Sequence, residues 1–509
     1  EDILFRLELR PKRKRISSFA WSFAPSEIPL YGNPRKERSE NILKKKEKNM
    51  KKFLVLLLAV VLGICAISCG KTENNGPSDA DDVNLDIDKN VTATLSIGIP
   101  GGNANEETMI QCLVDDFKKM YPNVTIRLKY ISINSGTYGN NVQRMATGGT
   151  LPDIIWTNSP DIYEAYGYME NLDMYIEKTE KAGLFGEAGF EGTFYSEYFD
   201  MGKVQGNRYV VPRSCDSVVA FYRTDMFEAA GVDMSTVKNG WKWEDMMAAC
   251  AKLRVWMDEQ GLAGAYCVEP NLTSWLSVCV PMLSAYGSEV ISSDGKNAID
   301  NAGTEKTLAL LREMVEKRYI PDSQITVGAG FEQGQCPIYF QSMSISSLQS
   351  KNVLKDKIDL VSFPLIGEEK NGEKDYSNAK IGAGIAGYCI TKPSKNKDLA
   401  WAFLRHLLSK DGQQNMALNG LNLASIRKDL SDPATANWGK GYEKFNLAAY
   451  TWGSEYKMSP TFFEYAPIKA KTAIDKAVTD LFVDGTNMKK SIKEAIASCK
   501  KAIDDAMAD

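Results

Sequence analysis

Histidine is almost missing from this chain, which has only one, His406, in 509 residues. That residue lies inside a helical pattern beside apolar neighbours, where we expect neither a Ser-His-Asp triad nor a His-rich zinc site. The sequence therefore shows no evident centre of either kind. We expect no metal, no cofactor and no catalytic residues, and we predict that the protein is not an enzyme.

Closely spaced cysteines are missing too. Of ten cysteines, the eight outside the apolar N-terminal segment are scattered singly, without metal-ligand spacing. Cys65 and Cys69 belong to an apolar segment near the N-terminus. The other eight are Cys112, Cys215, Cys250, Cys267, Cys279, Cys336, Cys389 and Cys499. Cys112, Cys250 and Cys499 fall on apolar faces of predicted helices, and a chain of this length does not need disulfides for stability. We therefore expect free thiols, with disulfides as the alternative.

A surplus of positive charge is also absent. The net charge is -4. Residues 1–49 contribute six net positive charges and Lys51 and Lys52 two more, so the remaining chain stands at -12. Such an acidic surface argues against a nucleic acid as partner.

The longest apolar run is too short to cross a membrane. It extends from Phe53 to Ile64 after two lysines, whereas a spanning helix needs about 20 residues. Met50 to Gly70 instead has the basic, apolar and small-residue regions of an export signal. Its end, Ala66-Ile67-Ser68-Cys69, resembles the lipobox of bacterial lipoproteins, although Leu is usual at the first position. We predict a signal peptide over residues 50–68 and a lipid on Cys69; the alternative is an ordinary signal with an incidental cysteine.

The segments on either side of this signal do not have the pattern of a domain. Residues 1–49 are basic, contain four prolines and have no sustained apolar period. Since an export signal works near an N-terminus, we predict that Met50 is the start and that residues 1–49 are a non-native, disordered extension; a disordered basic arm is the alternative. Residues 71–90 are polar and acidic, which predicts a flexible tether over residues 69–90.

Strands and helices alternate after the tether. Residues 91–99 form an apolar strand pattern, and Met109, Leu113 and Phe117 recur at four-residue spacing in a predicted helix over 106–120. A second alternating strand covers 124–130. This order predicts an α/β fold with a largely parallel sheet. The 441 residues from Cys69 onward are enough for two domains or two lobes.

Several later segments resemble the family 1 extracellular solute-binding proteins, which are the carbohydrate-binding components of ABC importers. The resemblance covers about residues 95–506 and rests on the order and spacing of its motifs. They are Gly148-Gly149-Thr150-Leu151-Pro152-Asp153, Tyr209-Val210-Val211-Pro212, Val218-Val219-Ala220-Phe221-Tyr222, Trp241-Lys242-Trp243-Glu244-Asp245, Phe331 with Gly334-Gln335, and Ser394-Lys395-Asn396 before Ala400-Trp401. The chain departs from the pattern at Pro337-Ile338 and at Ser342-Met343-Ser344, where many members have Ala-Met and then Gly-x-Trp.

The resemblance implies a two-lobed, periplasmic-binding-protein-like fold of type II, with a hinge and a ligand cleft between the lobes. It places lobe one at about 91–211 plus 386–428 and lobe two at about 212–385 plus 429–509. The implied function is capture of a sugar or oligosaccharide by lobe closure and delivery to the permease subunits of an ABC importer. We expect a monomer outside the cytoplasm, held at the bacterial membrane through Cys69.

A sugar site needs flat aromatic side chains together with hydrogen-bonding groups. The predicted ligand-binding residues are Gly102, Asn103, Trp156, Asn158, Arg213, Asp216, Glu269, Asn271, Trp275, Gly384, Phe462 and Phe463. Arg213 suits a bidentate contact with an acidic sugar. In the alternative, Arg213 and Asp216 pair with each other across the hinge, Trp156 is a core residue, and Phe462 and Phe463 do not both contact the ligand.

Two other functions remain open from the sequence. The same fold binds non-sugar solutes such as a polyamine or a peptide. A surface glycoside hydrolase needs two opposed carboxylates about 5 to 10 Å apart, and Asp216 and Glu269 are the candidate pair.

Overall fold

Two β-sheets, each covered by helices, organise the described part of this chain. The computed structural model describes residues 83–102, 104–132, 137–159, 167–322, 330–420, 422–433, 435–458 and 465–508. The predicted extension, the signal peptide, Cys69, Asn103, Phe462 and Phe463 lie outside the described residues. No helix among the described residues is long and apolar enough to span a bilayer.

Elements of the first half run in the following order: β1 (Ala93–Gly101), α1 (Ala104–Met120), β2 (Val124–Ser132), α2 (Thr137–Thr147), β3 (Ile154–Thr157), α3 (Asp173–Lys181), α4 (Gly189–Thr193), α5 (Ser196–Asp200), β4 (Lys203–Val204), β5 (Asn207–Arg208), β6 (Val211–Pro212), β7 (Val219–Arg223), α6 (Thr224–Ala229), α7 (Trp243–Glu259), α8 (Asn271–Ser274) and α9 (Leu276–Ala285).

The second half continues with α10 (Ala302–Glu316), β8 (Ile338–Gln341), α11 (Ile345–Gln349), β9 (Ile358–Ser362), β10 (Glu368–Lys370), β11 (Glu373–Asp375), β12 (Ile381–Gly382), β13 (Gly387–Ile390), α12 (Lys397–Leu408), α13 (Lys410–Leu418), β14 (Lys457–Met458), α14 (Lys471–Thr486) and α15 (Ile492–Ala508). Short 3₁₀ turns lie at Met234–Thr236, Lys428–Leu430, Leu447–Tyr450, Ser454–Tyr456 and Ile468–Ala470.

The first sheet has the order β2-β1-β3-β13-β6. Its first three strands are parallel, as the sequence predicts, but β13 is antiparallel to both β3 and β6. Met109, Leu113 and Phe117 on α1 are buried against this sheet, which confirms their predicted common face. Phe117 also meets Phe403 edge to face, with ring centroids 5.2 Å apart. The predicted parallel sheet is therefore a mixed one.

The second sheet has the order β8-β7-β9, with both neighbours antiparallel to β7. Alternate residues of β7 point to opposite faces, so Val219 and Phe221 join the core of the first sheet while Ala220 joins a second core. Helices α7, α10, α14 and α15 contribute to that second core. On α15, Ile496, Cys499 and Ile503 are buried, as their spacing predicts.

The chain passes between the sheets at three places. The first passage joins β6 to β7, and the second joins β12 to β13; they are tied by the bridge between Ser217 and Ala383. The third brings Tyr450 to the same place, where its carbonyl accepts a hydrogen bond from Ser217 Oγ at 2.5 Å. Tyr198 in turn lies 2.5 Å from that hydroxyl. These hydrogen-bonded passages form the hinge between the two sheet bodies, each of which is one of the two sheets with its covering helices.

The C-terminal end of the predicted tether is folded. Val83, Leu85 and Ile87 pack against the first core. The carbonyl groups of Val83 and Leu85 accept hydrogen bonds from Lys178 Nζ and Arg405 Nη2 at 3.3 and 3.1 Å. The alternation of apolar residues in this stretch is a strand-like signal that its polar composition concealed. Residues 83–90 therefore belong to the folded body rather than to the tether.

Gly382 allows β12 to approach α9 closely at the hinge. A Cβ at this position would lie 1.6 Å from the carbonyl oxygen of Ser277. We expect Gly382→Ala to lower the free energy of unfolding by about 2 kcal/mol or more, because backbone would have to move. Urea denaturation measures this loss. Gly264→Ala is the control, since nothing lies within 4 Å of its added Cβ, and equal losses in both variants would contradict the prediction.

Candidate functional site

A cavity of about 370 Å³ lies where the two sheet bodies meet the hinge. Its lining comes from α1, from the end of β8 with the turn after it, and from the passages between the sheets. The lining residues are Glu106, Met109, Arg213, Asp216, Gln341, Ser342, Met343, Ser344, Ser347, Gly420, Asn422 and Leu423. Both sheet bodies thus contribute polar side chains to one space.

The first hinge passage fixes two charged residues of this lining. Arg213 follows β6 directly, and its N–H donates to Ala386 O at 3.1 Å. Three residues later, the carbonyl of Asp216 accepts the N–H of Gly384 at 2.7 Å. The backbone of the second passage thus holds both residues in place.

The third charged residue of the lining is Glu106, in the first turn of α1. Its Oε1 accepts a 2.6 Å hydrogen bond from the buried hydroxyl of Tyr388, and its Oε2 lies 3.3 Å from Arg213 Nε without hydrogen-bond geometry. The helix N-terminus favours a negative charge there. Burial and the Glu106 charge raise the pKa of Tyr388, so its hydroxyl keeps the proton that it donates.

Arg213 lies between two carboxylates. Its Nη1 is 3.9 Å from Asp216 Oδ1 and donates to Ser214 Oγ at 3.1 Å. Burial would lower the pKa of Arg213, but the charges of Glu106 and Asp216 outweigh it and raise that pKa. The guanidinium is thus already paired. Arg213 and Asp216 lie next to each other, as in the alternative prediction, while the bidentate contact of Arg213 with an acidic sugar stays a prediction.

Some predicted residues lie at or near the cavity. Arg213 and Asp216 line it, and Gly384 contacts Asp216, since a Cβ at Gly384 would lie 3.5 Å from that of Asp216. Asn271 donates from Nδ2 to the carbonyl of Phe340, the residue before Gln341. Its own Oδ1 is buried without a hydrogen-bond partner. Whether these residues contact a ligand stays a prediction.

Other predicted residues have structural partners instead. Trp156 packs against the first core, edge to face with Tyr138 at 5.3 Å. Trp275 packs against the second core. Glu269 accepts the N–H of Phe331 and fixes that loop, and burial raises its pKa. Because Glu269 is not among the lining residues, the cavity does not contain the carboxylate pair proposed for a glycoside hydrolase.

Gly102 and Asn158 lie at the ends of their strands. Gly102 has a left-handed φ of +91°, and its N–H donates to Glu107 Oε1 at 2.9 Å. Asn158 is exposed just after β3. Neither is among the residues that line the cavity.

Sequence reasoning missed most of the residues that line the cavity. Glu106 is an ordinary acidic residue of a helix start, and nothing in its local pattern marks it. Gln341 to Ser344 coincide with a departure from the family pattern, which was a usable signal. Among the described lining residues, the apolar surface comes from Met109, Met343 and Leu423 rather than from aromatic rings.

The described cysteines contribute no reactive group to the cavity. All eight are free thiols, as expected, and all except Cys112 are fully buried. Burial raises the pKa of each of Cys215, Cys279 and Cys389. Among the described residues there is also no group of three His, Cys, Asp or Glu placed to hold a metal.

The family is decided by a model of bacterial extracellular solute-binding proteins, which matches residues 112–444. The chain belongs to this family. Solved structures show the same two-lobed fold for this solute-binding protein. The sugar-binding protein MalE from Xanthomonas citri is 16% identical with a TM-score of 0.64, covering 82% of this chain and 97% of that one.

Two further solved structures are similar to this chain to a comparable degree. The GacH receptor of Streptomyces glaucescens, solved with acarbose, is 17% identical with a TM-score of 0.60, over 82% of this chain and 99% of that one. An ABC substrate-binding protein from Listeria monocytogenes, solved with cycloalternan, is 17% identical with a TM-score of 0.61, over 82% and 100%.

A further relative matches over a shorter part of the chain. A protein of Brucella abortus (strain 2308), named only as a candidate binding protein, is 23% identical over 297 residues, which is 55% of this solute-binding protein. The match spans 64% of the relative's own length. The matched family and the matched structures are described by their binding of solutes or sugars.

Proposed function

We propose that this solute-binding protein captures a sugar or oligosaccharide between its lobes and delivers it to the permease of an ABC importer, without chemical conversion. The observation that carries the proposal is the cavity at the hinge, which takes polar side chains from both sheet bodies. A ligand held by both bodies binds more tightly to the closed form, and only such a difference in affinity can drive closure. The sugar and oligosaccharide complexes among the structural neighbours support the ligand class.

The lining suits a polyhydroxylated ligand. Three serines, Gln341 and Asn422 offer donors and acceptors, while Met109, Met343 and Leu423 offer apolar surface for a sugar ring. We propose lobe one at about 91–211 plus 386–428 and lobe two at about 212–385 plus 429–509. The strands support this division, because β6 and β13 lie in the first sheet and β7 to β9 in the second.

A thermal-shift screen tests the ligand class. Oligosaccharides at about 100 times their dissociation constant should add roughly 2.7 kcal/mol to the free energy of unfolding and raise the melting temperature. Gln341→Ala should raise the dissociation constant of the sugar about three- to tenfold, as expected for a lost hydrogen bond. Gln260→Ala, at an exposed helix end, is the matched control. Stabilisation by peptides or polyamines alone, with none by any sugar, would refute the carbohydrate assignment.

We also propose that the protein works at the membrane as a monomeric lipoprotein, with a signal peptide over residues 50–68 and lipid on Cys69. The lipobox-like residues before Cys69 support this. One acyl chain holds a protein only weakly, whereas two or more hold it stably. Cys69→Ala should therefore move the protein from the membrane fraction to the soluble fraction and leave its ligand dissociation constant unchanged. Retention of the variant in the membrane fraction would contradict the anchor.

A further inference from the structure

The charges of the cavity do not balance. Among its described lining residues, Glu106 and Asp216 are acidic and Arg213 alone is basic. Only 4% of Glu106 and 7% of Asp216 is exposed. If all three groups are ionised, the cavity has one negative charge in excess. An excess charge becomes more costly when a closing cleft removes the remaining water.

Asp216 is the less compensated of the two carboxylates. Glu106 has a hydrogen bond from Tyr388 and lies 3.3 Å from Arg213 Nε. Asp216 Oδ1 accepts a 3.0 Å hydrogen bond from Ser214, but the 3.9 Å to Arg213 Nη1 is too long for one. Within the described part of the chain, no side chain donates a hydrogen bond to Asp216 Oδ2. The cavity therefore offers a buried, negatively charged hydrogen-bond acceptor, the carboxylate of Asp216.

We infer that the ligand supplies the missing positive charge as a protonated primary amine, and that it is an amino sugar bound with its ammonium near Asp216. This inference rests on the proposed carbohydrate function. An ammonium group donates three hydrogen bonds and would make the set of buried charges neutral. A uronic acid would instead bring a third carboxylate to a guanidinium that is already paired with Glu106.

An ammonium group could also come from a polyamine. The neutral lining favours the sugar, because Gln341, Asn422 and the three serines would face mostly methylene groups of a polyamine and lose hydrogen bonds to water. A sugar returns those hydrogen bonds through its hydroxyl groups. The amine and the hydroxyls together therefore describe an amino sugar.

Calorimetric titration of the full chain in detergent tests this inference with trisaccharides that differ in one group. Each backbone, α-1,4- and β-1,4-linked, is offered as the glucosamine, glucose and glucuronic acid form, and spermidine is a separate arm. We expect the glucosamine form to bind at least about tenfold more tightly than the glucose form at pH 7. We expect the glucuronic acid form to be the weakest.

Two variants assign the preference to Asp216. Asp216→Asn keeps the size of the side chain but removes its charge, so the ratio of glucosamine to glucose affinity should fall toward one. Asp294→Asn is the control, because that carboxylate is more than half exposed and pairs with Lys296. It should leave the ratio unchanged. A ratio that Asp216→Asn does not lower would overturn the assignment.

The remaining outcomes separate this inference from the proposed function. Tighter binding of the glucose or glucuronic acid form overturns the inference and leaves carbohydrate binding intact. Binding of spermidine with none by any trisaccharide overturns the amino-sugar identity and the carbohydrate function, while the preference for ammonium stands. If no probe binds, the result counts against both.

Discussion

Lys457→Met should make this protein more stable at pH 7, by about 3 to 4 kcal/mol. Lys457 lies in β14, which pairs with β12 at the hinge, and only 7% of it is exposed. Its Nζ is buried and has no hydrogen-bond partner among the residues that the structure describes. Burial lowers the pKa of this ammonium group from 10.5 to about 7, opposed only in part by Cys215 and Glu455. Each unit of such a shift corresponds to about 1.36 kcal/mol.

The pH dependence of this gain has a definite sign. Below about pH 7 the lysine is protonated in both the folded and the unfolded chain, so its burial carries the full cost. As the pH rises from about 7 toward 10.5, the folded protein releases the proton while the unfolded chain keeps it, and stability increases. Methionine has nearly the same length and no charge, so the advantage of Lys457→Met should shrink across that window.

Urea denaturation at pH 7 and at pH 9.5 measures both effects. Lys476→Met is the matched control, since the Lys476 side chain is 73% exposed and the change should stay within about 0.5 kcal/mol. A Lys457→Met variant that is no more stable than the parent at pH 7 would show that the ammonium group is solvated. An equal gain at the two pH values would exclude titration of Lys457 as the cause.

Arg213→Met should have an effect of similar size and opposite sign. Removal of the guanidinium leaves the carboxylates of Glu106 and Asp216 buried near one another without their cation. Breaking a buried ion pair in this way typically costs about 3 to 5 kcal/mol.

A double variant isolates the pair. Adding Glu106→Gln to Arg213→Met removes the charge of one of the two carboxylates and should recover part of the lost stability, which a double-mutant cycle by urea denaturation quantifies. Arg318→Met is the control, because Arg318 is 46% exposed in its pair with Asp258, and such surface pairs contribute little. If Arg213→Met costs less than about 1 kcal/mol, the carboxylates are not held by this guanidinium.

Both predictions depend on contacts between segments far apart in the chain. Lys457 is buried by β12 and the region of Cys215, and Arg213 is paired with a residue 107 positions earlier. No local pattern contains such information. The sequence marks Arg213 as a cation beside a hinge strand, but whether that cation meets a ligand or a carboxylate depends on where α1 begins in space.

The periodic parts of the fold were readable from the chain. The spacing of Met109, Leu113 and Phe117 gave the buried face of α1, and the alternation in β2 gave an edge strand with exposed Arg127 and Lys129. These succeed because helix and strand geometry repeat over a few residues. The antiparallel entry of β13 into the first sheet was missed, because it follows from a return of the chain after more than 200 residues.

The predicted aromatic ligand contacts also show the limit of local sequence information. An indole at a strand end suits either a core or a ligand, and in the structure Trp156 packs against the first core and Trp275 against the second. The choice depends on neighbours that the local sequence does not specify. In the same way, the alternating apolar residues of 83–87 pack against the first core, and the local sequence does not show that this core lies beside them.

By itself, the amino-acid sequence determined the α/β class, the family and the acidic character of the chain after Lys52, and it predicts an export signal with a candidate lipid cysteine. These follow from local periodicity, composition and the order of motifs, which need no tertiary contacts. The tertiary structure alone decided that Arg213 is held between Glu106 and Asp216, that Glu269 supports a loop, and that the cavity has one carboxylate in excess. Charge compensation inside a cleft depends on distances such as the 3.3 Å between Arg213 Nε and Glu106 Oε2, and only folding brings such distant segments together.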